Sequence, residues 1–146
     1  MKNKSNKGKI GVSQKAIIVR KDGKFLAIRR SKTDPRRPLQ WDLPGGELEF
    51  GEDAQKDILR EIKEETGLRV RDLQLLDVIS GFDDQKDFWV TICYFVETII
   101  NKPVLSYEHD QWRWVNPNEF QLLKASKRNK KFVAGFKLFK LKQFPK

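Results

Sequence analysis

Three carboxylates crowd one short stretch of the chain: Glu61, Glu64 and Glu65, in the run Arg60-Glu-Ile-Lys-Glu-Glu-Thr-Gly67. On a helix they stand at i, i+3 and i+4 and share about 100° of arc, so three negative charges face one way. Like charges this close repel unless something compensates them. A hard divalent cation such as Mg²⁺ takes oxygen ligands and keeps positions for water and phosphate oxygens, so the pattern points to chemistry on a phosphate. Glu52 lies just before the stretch and can approach from the loop side. Arg60 can reach Glu64 one turn on, or reach back to Glu52, and so hold a carboxylate in place. The competing reading is a solvated, charged helix face with Lys56 and Lys63 as counter-ions. That reading leaves Gly46, Glu52, Arg60 and Gly67, which fall in step with the glutamates, without a reason.

The elements that must position these groups can be marked along the chain. Asp53 reads as an N-cap, good helix formers follow from Ala54, and Gly67 reads as the stop, which predicts a helix over 54–66. Gln14–Arg20 and Lys24–Arg30 read as strands around the turn Lys21-Asp-Gly23. Residues 31–40 form a loop holding Pro35, Arg36, Arg37 and Pro38. Short strands are expected at Glu47–Phe50 and Arg113–Val115, and longer ones at Leu73–Ser80 and Asp87–Glu97, with a turn over Gly81–Lys86 between these two. Asn116-Pro117-Asn118-Glu119 opens a short helix by cap logic. Asn129–Lys142 reads as a second main helix whose Phe132, Phe136 and Phe139 form a core-facing stripe. Periodicity alone supports an α/β or α+β protein.

Gly46, Glu52, Arg60-Glu61, Ile62, Glu64-Glu65, Gly67 and Leu68 fit the spacing of the Nudix box without a gap or mismatch. At background frequencies of about 5–7% per residue type, a chance match is well below about one in a million. Trp41-Asp-Leu-Pro44-Gly45-Gly46 resembles the lead-in usual in that family. The resemblance implies an α/β/α sandwich around a mixed β-sheet over roughly residues 10–142, and a MutT-like, metal-dependent hydrolase of a diphosphate linked to another group. It implies Glu61 and Glu65 as metal ligands, with Glu64 a ligand or the general base. A main-chain carbonyl at Gly45 and the Glu52 carboxylate join the expected metal set. Glu108, in Ser106-Tyr107-Glu108-His109 ahead of Trp112-Arg-Trp114-Val115, competes with Glu64 as base. His109, the only histidine, reads as a loop hydrogen-bonding group. The implied cofactor is Mg²⁺, with Mn²⁺ as the alternative.

The box specifies the phosphate chemistry and not the attached group. Guanidinium groups match phosphate oxygens in bidentate fashion, so Arg29, Arg36 and Arg37 are the expected phosphate clamps, with Arg30 beside them. Trp41 and Phe82 are candidate stacking platforms for a base, and a place in the core is at least as good a reading for each. The leading substrate is a nucleoside triphosphate, normal or oxidised, cleaved to a monophosphate and pyrophosphate. ADP-ribose and other nucleoside diphosphate sugars, dinucleoside polyphosphates and RNA 5′-pyrophosphate are the alternatives. A non-catalytic nucleotide-binding module of the same fold is an alternative of another class; such relatives usually lack box glutamates, and all are present here.

Composition agrees with a small enzyme. At 146 residues the chain can bury a real core, and we expect one domain over 10–146 behind a flexible basic tail over 1–9. Cys93 is the single cysteine, so no intrachain disulfide can form, and its apolar surroundings predict a buried thiol. The tail lacks the apolar segment of a secretory signal, and no apolar run approaches the ~20 residues of a membrane span. A cytoplasmic monomer or homodimer is expected, with a small nucleotide as partner and no membrane. Thirty Lys and Arg against twenty acids give a formal charge of +10, concentrated toward the two ends. That excess can draw in polyanions, RNA among them, but it reads first as a solubility device.

Overall fold

Side chains alternate faces along a strand, and β1 (Ile10–Val19) uses both faces for core. The computed structural model describes residues 8–100 and 102–143. Ile17 and Val19 enter one apolar cluster and Ala16 and Ile18 the other, so the sheet is buried on both sides. Among the described residues seven strands form one mixed sheet. Its spine runs β3 (Trp41–Asp42), β2 (Phe25–Arg30), β1, β6 (Phe88–Glu97) and β5 (Gln74–Phe82). β4 (Gly45–Glu47) pairs with β1, and β7 (His109–Val115) with β2. β1 and β6 are parallel over their full lengths, and every other pairing is antiparallel.

Helices cover the two faces. α1 (Ala54–Thr66) lays Ile58 and Ile62 on Ala16, Ile18, Leu26 and Ile28. On the other face α2 (Pro117–Gln121) and α3 (Lys127–Gln143) bring Phe120, Phe132, Val133 and Phe136 onto Ile17, Phe25 and Ala27. This is the expected α/β/α arrangement around a mixed sheet. Phe132 and Phe136 of the aromatic stripe are buried, and Phe139 packs on Phe95 with ring centroids 4.9 Å apart. Cys93 is buried in the α2–α3 cluster, and burial pushes its thiol up, away from reactivity.

Several boundaries move for tertiary reasons. β1 starts at Ile10, earlier than expected, because pairing with β6 runs from Ile10↔Phe88 to Val19↔Glu97. The short strand expected at Glu47–Phe50 lies instead at Gly45–Glu47, held by pairs to Lys15, Gln14 and Ser13. β7 begins at His109 because Arg30 to Phe25 of β2 pair along it. α3 starts at Lys127, where Ser126 supplies both its Oγ to the Asn129 N–H and its carbonyl to the Lys130 N–H. The expected capping at α2 is present, with Asn116 and Glu119 each accepting the other's backbone N–H. Most of the expected basic tail, residues 1–7, lies outside the described residues, as does Lys146. Among the described residues no helix is long and apolar enough to cross a membrane.

Candidate active site

α1 has the ends its sequence calls for. Asp53 accepts the Lys56 N–H at 3.0 Å, and Gly67 takes a left-handed φ of 71° while its N–H reaches the Lys63 carbonyl. Ile58 and Ile62 fix the helix's rotation in the core. Glu65 then falls at the buried edge, and Glu61 and Glu64 face the cleft beside it.

The Gly45-Gly46 turn fits against these acids. The Gly45 N–H donates to Glu65 Oε1 at 2.8 Å. Gly45 sits at φ 151°, and a Cβ there would fall 1.9 Å from the Gln14 carbonyl oxygen. A Cβ on Gly46 would fall 3.0 Å from the Glu61 carboxylate. Both glycines let the turn approach the helix where any side chain would displace β1 or Glu61.

Arg60 ties the acidic face together. It donates to Glu64 Oε2 at 3.0 Å and to Glu52 Oε2 at 3.4 Å, and lies 3.3 Å from Glu61 Oε1. It also binds Asp57, a buried acid that sequence reasoning missed. Asp57 accepts in addition from Gln14 Nε2 at 3.2 Å; Gln14 in turn accepts the Tyr94 hydroxyl at 2.8 Å. The guanidinium is therefore anchored through β1 and β6, contacts that spacing within α1 cannot reveal.

The glutamates line one wall of a cleft of about 470 Å³. Glu61, Glu64, Glu65 and Glu108 stand with Gly45 and Gly46 on the acidic side. Lys15, Arg30, Arg36, Arg37 and Arg128 supply the cations, and Trp89 is the one aromatic ring among the described lining residues. Asp42 is the buried hub beneath the cations. It accepts from Lys15 at 3.0 Å, Arg30 at 2.9 Å, Asn129 Nδ2 at 2.7 Å and the Leu43 N–H at 2.8 Å. Arg30 also pairs with Asp34 at 2.9 Å. Arg36 reaches Gln85 at 2.6 Å and Asp83 at 3.5 Å, and Asp83 accepts the Trp89 indole N–H at 3.0 Å. Arg37 reaches Asp84 at 3.5 Å.

Four of the expected site residues lie off the cleft lining. Arg29 is turned out of the cleft into a two-bond pair with Asp110, at 2.8 and 3.0 Å. Its neighbour Arg30 faces in, since adjacent strand residues point to opposite sides. Trp41 is 7% exposed within the α2–α3 cluster, with Arg113 stacked 4.9 Å from its ring, so it offers a base no face in the cleft. Phe82 is exposed at the end of β5 against Phe88 and also lies off the cleft lining. Glu52 lies behind Arg60, where its carboxylate accepts the Glu49 N–H at 3.0 Å, and it does not line the cleft. Trp89, Lys15 and Arg128 replace them in the lining, and each carried only a strand or charge-run signal in the sequence.

Burial holds the Glu65 carboxyl above the ordinary range, against the pull of Lys15 and the Gly45 N–H. Burial likewise raises Glu61, and Arg60 only partly opposes it. Two acids of one helical face thus resist ionisation until a cation joins them, and their hard oxygens suit a divalent metal. Among the described residues no three acids or imidazoles already close into a cage. The residues fit a divalent cation that keeps positions for water and phosphate oxygens. Burial lowers His109 to about 4, so its ring is neutral near pH 7.

Comparison with known proteins decides the family. The NUDIX domain model matches residues 9–136. The chain belongs to the Nudix family. Nudix hydrolases act on pyrophosphate linkages and use divalent cations, which agrees with the acidic wall. A MutT-like protein of Streptomyces ambofaciens is 43% identical over 70 residues, 48% of this chain and 40% of that one, so the match spans less than half the relative's length. An ADP-ribose pyrophosphatase of Methanocaldococcus jannaschii is 33% identical over 123 residues, covering 68% of this chain and 72% of the relative. The crystal structure of a MutT protein from Methanosarcina mazei Go1 superposes with a TM-score of 0.81 at 25% identity, covering 90% of this chain and 95% of that one.

Proposed function

We propose that this Nudix protein hydrolyses a nucleoside triphosphate, normal or oxidised, to the monophosphate and pyrophosphate. The observation that carries the reading is the make-up of the cleft: one acidic wall, five cations and a single indole. A ligand suited to it has several anionic phosphates and one ring system. Glu61 and Glu65 would hold the divalent cation, Mg²⁺ by its preference for oxygen, with Glu64 beside them. When bound, the cation neutralises phosphate oxygens and makes a water more acidic.

The chain's own groups do the rest. The Gly45 N–H orients Glu65, and Arg60 holds Glu64 and Asp57 in fixed relation. Glu108 is the better placed general base. It lines the cleft, is exposed, and among the described residues its carboxylate has no hydrogen bond or ion pair, whereas Glu64 is engaged by Arg60. A free carboxylate within reach of a water can take its proton as the water attacks phosphorus. Arg36 and Arg37 can exchange their long contacts with Asp83 and Asp84 for phosphate oxygens. Trp89 offers the base an aromatic face at the cleft's edge.

ADP-ribose is the second reading, favoured by the likeness to the archaeal pyrophosphatase. A phosphate assay with added pyrophosphatase, run on nucleoside triphosphates with Mg²⁺ and beside it an AMP-release assay on ADP-ribose, separates the two. We expect the highest kcat/KM on a triphosphate. A higher value on ADP-ribose would replace the leading reading.

A further inference from the structure

One cation of the cleft stands without a close carboxylate. Lys15, Arg30, Arg36 and Arg37 each have a carboxylate within 4.0 Å. Arg128 has none among the described residues. Its contacts are long ones to neutral oxygens: Asn129 Oδ1 at 3.3 Å from both Nε and Nη2, and Thr91 Oγ1 at 3.4 Å from Nη1. It lines the cleft from the first turn of α3, a turn that holds no acid and several cations. Cations there oppose the helix dipole, and an anion at that end relieves both the dipole and the guanidinium. Asp42 acts on the guanidinium only from beyond ion-pair distance, and a half-buried guanidinium without a close partner is costly.

A second group lining the same cleft also lacks a partner. His109 is 8% exposed and lines the cleft, and its Nδ1 is buried without any hydrogen-bond partner. Buried polar atoms are nearly always paired. His109 and Arg128 line the same cleft, and the charges of Asp42 and Arg30 act on both.

We infer that Arg128 is a positioning and specificity residue that takes the anionic phosphate a triphosphate carries beyond the diphosphate at the acidic wall. The inference rests on the nucleotide reading above and sharpens it. A diphosphate sugar has its two phosphates committed to the acidic wall and its cation. A triphosphate brings one more charged group, and the cleft holds a guanidinium with no carboxylate in ion-pair range among the described residues.

The test compares wild type, Arg128→Gln and Arg128→Lys on a nucleoside triphosphate and on ADP-ribose, with melting temperature checked for each. A hydrogen bond to a charged group corresponds to a factor of about 10–100. Arg128→Gln should therefore lower kcat/KM on the triphosphate by about that factor, chiefly through KM, and stay within about twofold on ADP-ribose. Arg128→Lys should fall between. A binding arm in EDTA reads the same contact without turnover: tripolyphosphate should bind Arg128→Gln about tenfold more weakly than wild type, and pyrophosphate about equally. Equal losses on both substrates, or no loss of tripolyphosphate affinity, would overturn the inference. If wild type turns over no triphosphate, the nucleotide reading fails by itself, and the tripolyphosphate arm still decides what Arg128 binds.

Discussion

α1 and α3 face the same cleft and carry opposite charge, and they differ in how their roles are encoded. In α1 the functional groups are set by spacing within the helix: Asp53 and Gly67 mark its ends, Ile58 and Ile62 fix its rotation, and Glu61, Glu64 and Glu65 follow from that rotation. α3 has no acid at all, and its Lys127, Lys131 and Lys137 are exposed. What singles out Arg128 is its place in the cleft lining against Thr91 of β6, which no local pattern within α3 records. The acidic half of the site is local, and the cationic half is tertiary.

The hardest way to break this contrast is to remove a carboxylate from the acidic half. Glu61→Gln and Glu65→Gln should each lower turnover by a factor of about 10²–10⁴ with circular dichroism unchanged, because each takes a charged oxygen from the proposed cation site. Metal-dependent turnover at the wild-type rate in both variants would remove the site from α1. The base comes next. Glu108→Gln should cost about 10² or more in kcat while the activating concentration of Mg²⁺ barely moves. Glu64→Gln should shift the Mg²⁺ requirement more than kcat, and the reverse pattern would exchange their roles. Arg60→Lys should cost about tenfold, since one ammonium cannot span Glu64, Asp57 and Glu52 as the guanidinium fork does. Full activity in that variant would reduce Arg60 to bulk charge.

These expectations divide as the two helices do. The acidic helix α1, its caps and the glycines before it are legible because backbone geometry and carboxylate spacing act over a few residues. The partner of Arg60 was only half legible: Glu64 and Glu52 lie within reach by counting, but Asp57 holds its place because Gln14 and Tyr94 close over it from two other strands. Arg29 and Arg30 look alike in the sequence, and only pairing with β3 and β7 decides which one points inward. Trp41 shares its lead-in position with the site, yet β3 turns it into the core. Trp89 is one residue in an apolar run until Gly11 lets its ring lie flat on β1, where a Cβ would fall 2.4 Å from the ring.

The smallest expected effect is on stability against pH. Burial lowers His109 to about 4 from an ordinary 6.5, so the unfolded state binds its proton first. Its contribution is complete above about pH 6.5 and is lost as pH falls toward about 4. Urea midpoints over that window should decline in wild type and decline less in His109→Gln. Equal declines would place the ring in a more polar setting than the structure gives it.

The central claim is a particular bond cleavage, and ³¹P NMR of a nucleoside triphosphate incubated with the protein and Mg²⁺ reads it directly. Nucleoside monophosphate and pyrophosphate should appear in equal amounts, with no signal growth when Glu61→Gln replaces the wild type. Orthophosphate with a nucleoside diphosphate, or an unchanged spectrum alongside rapid cleavage of ADP-ribose, would contradict the account.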